Sequence, residues 1–236
     1  MRVNKLRSVV IAAVFAALGA VLTPAPAVSA DDADGWVNLF NGKDLEGWVQ
    51  RGGKAKYSVE DGQIVGRAVP NTANSFLCTT KDYGDFVLEL EFKVDADLNS
   101  GVQVRSHCFD RPTKFEAGGK ERTIPAGRVH GYQVEIDPDV KRGRLWTGGI
   151  YEEGRRGWLQ DLKNNEPARK AFKPGEWNKL RVECRGDHIR TWLNGVPAAD
   201  LRTPPRTPAS SRCRSTASAR RPSRWRCASA TCASRS

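Results

Sequence analysis

The sequence predicts an all-β fold, a sandwich of two antiparallel sheets, and three observations carry that reading. Short runs of alternating apolar and polar residues recur from residue 37 to residue 193. Turn dipeptides punctuate them, notably Asn41-Gly42, Asp61-Gly62, Gly186-Asp187 and Asn194-Gly195. Helical periodicity is nearly absent, with room for a turn or two only at residues 164–172. Side chains two apart share a strand face, so each run can bury one face against a second sheet. Many short strands without intervening helices make a sandwich rather than an α/β fold.

The elements follow in order. Residues 37–40 form a strand that ends at Asn41-Gly42, and residues 48–50 form one that ends at Gly52-Gly53. Residues 56–59 and 63–67 flank Asp61-Gly62, a two-residue hairpin signal. Phe86, Leu88, Leu90, Phe92 and Val94 alternate with Val87, Glu89, Glu91 and Lys93, which marks a long half-buried strand with its two glutamates facing outward. Residues 178–184 and 188–193 make a second hairpin, which places His188 at an exposed turn. Residues 108–128 and 154–174 are longer loops expected to rim one face, with Arg155 and Arg156 as a solvated pair. Trp36, Trp48 and Trp177 are expected in the core, as are Cys78, Cys108 and Cys184, whose wide spacing is neither a disulfide framework nor a zinc pattern.

Charge and composition divide the chain into three. Arg2, Lys5 and Arg7 precede an apolar run over residues 9–22, and Val28-Ser29-Ala30 is a small-residue cleavage site. Residues 1–30 therefore read as a secretory signal, which makes the protein exported, periplasmic or extracellular, and leaves no membrane attachment after cleavage. Residues 31–202 form one domain, and residues 203–236 a basic tail with eight arginines and no acid. The formal net charge of +11 comes from the signal and the tail, so the domain is neutral and nucleic acid is not its partner.

The tail reads as a displaced reading frame. A one-base shift turns first codon bases into second bases, and a second-position T specifies an apolar residue. Applied to Ser210-Ser-Arg-Cys-Arg-Ser-Thr-Ala-Ser-Ala219, the shift spells F-I-A-L-Q-V-H-G-V-G, an alternating strand where the printed sequence has none. The printed tail is accordingly expected to be disordered and to lack two strands.

Two segments carry candidate chemistry. Ser100-Gly-Val-Gln-Val-Arg-Ser106 presents Gln103 and Arg105 on one face, and His130-Gly-Tyr-Gln-Val-Glu-Ile-Asp137 presents Gln133, Glu135 and Asp137. Amide, guanidinium and carboxylate groups in rows suit a polar ligand. Glu135, between Gln133 and Asp137, is the candidate acid or base, and Arg105 the fixed cation for an anionic oxygen. Trp146, Tyr151 and Trp158, beside glycine-rich turns, suit stacking against sugar rings. Gln103 and His130 complete the ligand-facing set, although His130 alternates with the face of Gln133. The sequence contains no G-x-S-x-G, H-E-x-x-H, phosphate-loop or dinucleotide motif.

Taken together, several of these segments are similar to the 3-keto-disaccharide hydrolase domain family. They are Trp36-Val-Asn-Leu-Phe-Asn-Gly-Lys-Asp-Leu-Glu-Gly-Trp48, Asn99-Ser-Gly-Val-Gln-Val-Arg105, Gly131-Tyr-Gln-Val-Glu-Ile-Asp137, Thr147-Gly-Gly-Ile-Tyr151, Pro174-Gly-Glu-Trp-Asn178 and Trp192-Leu-Asn-Gly195. The resemblance covers residues 35–201, and the displaced-frame F-I-A-L-Q-V-H-G resembles the family's penultimate strand. It implies a concanavalin-like jelly roll acting on an oligosaccharide or glycoside whose C3 hydroxyl has been oxidised to a ketone. Glu135 would remove the C2 proton, with Arg105 and Gln133 stabilising the enolate. A divalent metal ion can take the arginine's place in such a step, and the sequence marks no ligands for one. Two alternatives stand beside it. One is ordinary glycoside hydrolysis by two carboxylates about 5 Å or about 6.5–9.5 Å apart, with Asp137 as partner to Glu135. The other is a non-catalytic sugar-binding module of laminin-G or lectin type.

Overall fold

The structure is a computed structural model that describes residues 36–96, 98–117, 119–141 and 143–204, and the backbone alone of Arg214–Ala219 and Arg224–Ser234. The predicted secretory signal lies outside the described residues. The strands are β1 (Trp36–Asn38), β2 (Trp48–Gly52), β3 (Lys56–Glu60), β4 (Gln63–Arg67), β5 (Ser75–Thr79), β6 (Phe86–Val94), β7 (Ser100–His107), β8 (Thr113–Ala117), β9 (Lys120–Ile124) and β10 (His130–Ile136). They continue as β11 (Ile150–Glu153), β12 (Gly157–Gln160), β13 (Asn178–Arg185), β14 (His188–Leu193), β15 (Val196–Arg202), β16 (Arg214–Ala219) and β17 (Arg224–Ser234).

One sheet runs β15-β14-β13-β6-β17-β4-β3, with β1 beside β17, and the other runs β12-β11-β10-β7-β16-β5-β2. All pairings are antiparallel. Alternation does what the sequence predicts: Leu88, Leu90, Phe92, Leu180 and Val182 of the first sheet meet Val102, Val104, Val134, Ile136 and Ile150 of the second in one core. Glu89 remains on the outer face of β6, ion-paired to Lys179 and Arg181. Among the described residues the single helix, α1 (Glu166–Ala171), is capped by Asn165, whose side chain accepts from the Ala168 amide.

Several expectations need correction. Residues 108–128 are not a plain loop but carry the β8–β9 hairpin. Its flanks are rooted on the second sheet, because Phe76, Cys78 and Val129 form a small cluster of their own with Val49 and Cys108 packed against it. Leu77, between Phe76 and Cys78, joins the main core, so this cluster lies on the sheet's outer face. Trp177 is 37% exposed rather than buried, while Trp48 packs against the core and donates from Nε1 to the Leu39 carbonyl. His188 is not simply solvated, since its Nε2 lies 2.5 Å from Asp200. Arg155 and Arg156 both engage the fully buried Glu152. Cys78, Cys108 and Cys184 are unbridged, and of these Cys108 is only half-buried.

The tail differs most. Instead of ending in unpaired chain, its backbone supplies β16 between β7 and β5, and β17 between β6 and β4. A gap at either place would leave two rows of unpaired backbone donors and acceptors in the middle of a sheet, and an inserted strand satisfies both rows.

Candidate active site

The polar row is held by the register of β10 on β7, in which Gln133 pairs with Gln103 and Glu135 with Gly101. Because Gly101 has no Cβ, the Gln133 side chain lies across it: a Cβ there would stand 2.6 Å from Gln133 Cγ. The result is a buried chain of hydrogen bonds with one direction. Ser106 Oγ donates to Gln103 Oε1 at 2.6 Å, and Gln103 Nε2 donates to Gln133 Oε1 at 2.6 Å. Gln133 Nε2 donates to Glu135 Oε1 at 2.7 Å, and Asn99 Nδ2 donates to Glu135 Oε2 at 3.0 Å. Glu135 is 3% exposed, Gln133 1% and Gln103 0%. Hydrogen bonds of amide N–H groups to a carboxylate are worth about 1.5–3 kcal/mol each, which helps hold a charge out of bulk water.

Two residues beyond Glu135, Asp137 Oδ1 accepts from Arg144 Nη2 at 3.1 Å, and Arg144 Nε lies 2.7 Å from Oδ2 as an ion-pair contact. The Asp137 amide is tied to Thr147 Oγ1 at 3.0 Å. This pairing keeps the Arg144 guanidinium more firmly protonated than usual, chiefly through the Asp137 hydrogen bond, with a smaller contribution from Glu135. The guanidinium carbon lies 5.3 Å from the centre of the Trp146 ring. Trp146 meets Trp158 edge-on at 4.9 Å, and Trp158 meets Tyr151 edge-on at 5.5 Å. The three predicted aromatic residues thus form one wall that runs from Arg144, and the Gln133↔Tyr151 register places it beside the polar row.

Arg105 does not continue that row. Its φ is 52°, and the β7–β10 register shifts between His130 and Tyr132. Such a bulge breaks the period of two. Ser106 takes the place predicted for Arg105 beside Gln103, and the Arg105 guanidinium lies 3.7 Å from Asp85, before β6. His130 also stands apart from Glu135. Its Nδ1 lies 3.0 Å from the Arg128 carbonyl, and its ring packs with His107 and Phe109. Burial lowers the pKa of both histidines, helped by the nearby Arg155.

Sequence reasoning missed Asn99, Ser106 and Arg144. Asn99 was legible only as the residue before a strand, Ser106 depends on the bulge, and Arg144 lies outside any strand pattern. Among the described residues no three His, Cys, Asp or Glu side chains converge to hold a metal ion.

A solved glycosyl-hydrolase-like protein from Parabacteroides distasonis superposes with a TM-score of 0.52 at 21% identity, covering 84% of this chain and 94% of that one. A Bacillus subtilis protein of galectin-like fold superposes with a TM-score of 0.58 at 10% identity, covering 80% and 90%. Both agree with the jelly-roll reading of the fold. In sequence, a 3-keto-disaccharide hydrolase of Bacteroides thetaiotaomicron is 28% identical over 167 residues, covering 64% of this chain. The match spans about half of that relative, 53% of its length. The model of the 3-keto-alpha-glucoside-1,2-lyase-like domain matches residues 35–221, past the boundary expected at residue 202. The chain therefore belongs to the 3-keto-alpha-glucoside-1,2-lyase-like domain family.

Proposed function

We propose that the protein is an exported enzyme that cleaves 3-keto glycosides or disaccharides by elimination followed by hydration. A C3 ketone acidifies the C2 proton. Glu135 takes that proton, the C2–H electron pair passes into the enolate, and collapse of the enolate breaks the C1–O bond. The departing oxygen takes a proton from a water molecule and leaves as an alcohol, the hydroxide so formed adds at C1, and Glu135 returns its proton to C2, which restores a 3-keto sugar and the carboxylate. The observation that carries this reading is the buried carboxylate of Glu135, held by two amide donors beside the Arg144–Trp146–Trp158–Tyr151 wall.

The roles shift from those expected of the sequence. Arg144, whose charge Glu135 feels, is the cation near the base, and it takes the part assigned to Arg105. Gln133 is engaged in holding Glu135, with Gln103 behind it. Asp137 has its carboxyl committed to Arg144 rather than free to attack a sugar carbon, which disfavours the two-carboxylate route.

The test is to incubate the purified protein with a glucose disaccharide and with its 3-keto derivative. Release of the second sugar only from the keto compound is expected, and its loss in Glu135→Gln with binding retained. Cleavage of the unoxidised sugar would support the two-carboxylate hydrolase instead, and binding of either sugar without turnover would make this a binding module.

A further inference from the structure

The hydrogen bonds to the two oxygens of Glu135 differ in what they allow. A carboxylate has no proton to give, so Gln133 must turn its NH₂ toward Oε1. Its own oxygen then faces Gln103, which must donate, and the oxygen of Gln103 faces Ser106, which must donate in turn. If Oε1 became a hydroxyl, it would meet the N–H of Gln133. Relieving that clash means reversing Gln133, Gln103 and Ser106 together inside a buried chain. Oε2 has a simpler partner. Asn99 stands just before β7 at the crossover from one sheet to the other, set in place by the fully buried Leu98, whose amide closes a turn on the Asp95 carbonyl at 3.0 Å. A half-turn of its amide replaces the donor NH₂ by an acceptor oxygen.

We infer that Asn99 is a positioning residue that assigns the substrate proton to Oε2 of Glu135, donating to the carboxylate and turning to accept from the carboxylic acid. The inference rests on Glu135 being the base. In the step itself the C2–H bond breaks, the Oε2–H bond forms, and the electron pair stays with the substrate as enolate. Glu135 becomes neutral, and Asn99 Oδ1 takes up the new hydroxyl, while the Ser106–Gln103–Gln133 chain keeps its direction throughout.

The test follows the Glu135 carboxyl by ¹³C NMR titration in the wild type, Asn99→Ala and the near-isosteric Asn99→Asp, alongside pH–rate profiles on a 3-keto glucose disaccharide. Loss of the donor in Asn99→Ala is expected to raise the Glu135 midpoint by about one pH unit. The acid limb of kcat/KM should move up with it, and kcat should fall about tenfold with KM little changed. Asn99→Asp should raise the midpoint further, because a second carboxylate opposes ionisation. Wild-type thermal midpoints identify the folded variants, so Asn99→Asp decides the matter if Asn99→Ala does not fold. An unmoved Glu135 titration in the folded variants overturns the role of Asn99 alone. Wild-type turnover in Glu135→Gln overturns the base assignment and this inference with it.

Discussion

Gln133 lies over Gly101, with its Cγ where a Cβ on residue 101 would be 2.6 Å away. That contact lets one glutamine reach both Gln103 and Glu135 across β7 and β10. Gly101→Ala should therefore swing Gln133 aside, lower turnover about tenfold and destabilise the fold by about 1–3 kcal/mol. Turnover and denaturant unfolding measured on the same preparation check it, and unchanged turnover would show that the hydrogen-bond chain does not serve the reaction.

Arg144 and Arg105 should separate cleanly. Arg144→Gln leaves the buried Asp137 carboxylate without its paired cation, so a drop in turnover of at least about tenfold is expected, with a stability loss of about 1–3 kcal/mol. Arg105→Lys should act on stability through Asp85 and leave KM and kcat near wild type. Steady-state kinetics paired with thermal melts decide between them, and the opposite pattern would return Arg105 to the reaction.

Acid should loosen the His107–Phe109–His130 cluster. Both histidines titrate below their ordinary value of 6.5 in the folded protein, mainly because they are buried. The unfolded chain thus binds protons more readily, so their contribution to stability is complete above about pH 6.5 and declines as pH falls below it. Arg155 adds to the depression at both rings, whereas Asp82 at His107 and Glu152 at His130 oppose it. Unfolding free energies measured between pH 5 and pH 7.5 should rise with pH, and His130→Gln should flatten the slope. An unaltered slope in that variant would remove His130 from the effect.

The tail offers a test of the displaced frame. β16 and β17 occupy inner positions of their sheets, yet as printed they carry no Leu, Ile, Val, Met or Phe. The displaced frame reads His at position 216, whose Cα pairs with that of Gln103. A chain carrying the displaced-frame tail is expected to be more soluble, to melt higher and to turn over faster than the printed chain. Equal values for the two on all three measures would retire the displaced frame.

Strands β1 to β4, β6, β7, β10, β13 and β14 were legible in the sequence because period-two alternation is a local property that neighbouring residues reveal, whereas β5, β8, β9, β11, β12 and β15 were not. Glu135, Gln133 and Gln103 were legible for the same reason, and Trp146, Tyr151 and Trp158 by composition beside glycine turns. Tertiary structure decided what alternation cannot encode. The bulge at Arg105 sends its guanidinium to Asp85 and brings Ser106 to Gln103. The chain reversal after β10 carries Arg144 onto Asp137, and the crossover into β7 sets Asn99 against Glu135. The places of β16 and β17 likewise follow from unsatisfied backbone groups on strands far away in the chain. A sequence states which face a residue prefers. Which distant partner meets it there depends on register, bulges and crossovers, and these are settled only when both sheets close on one core.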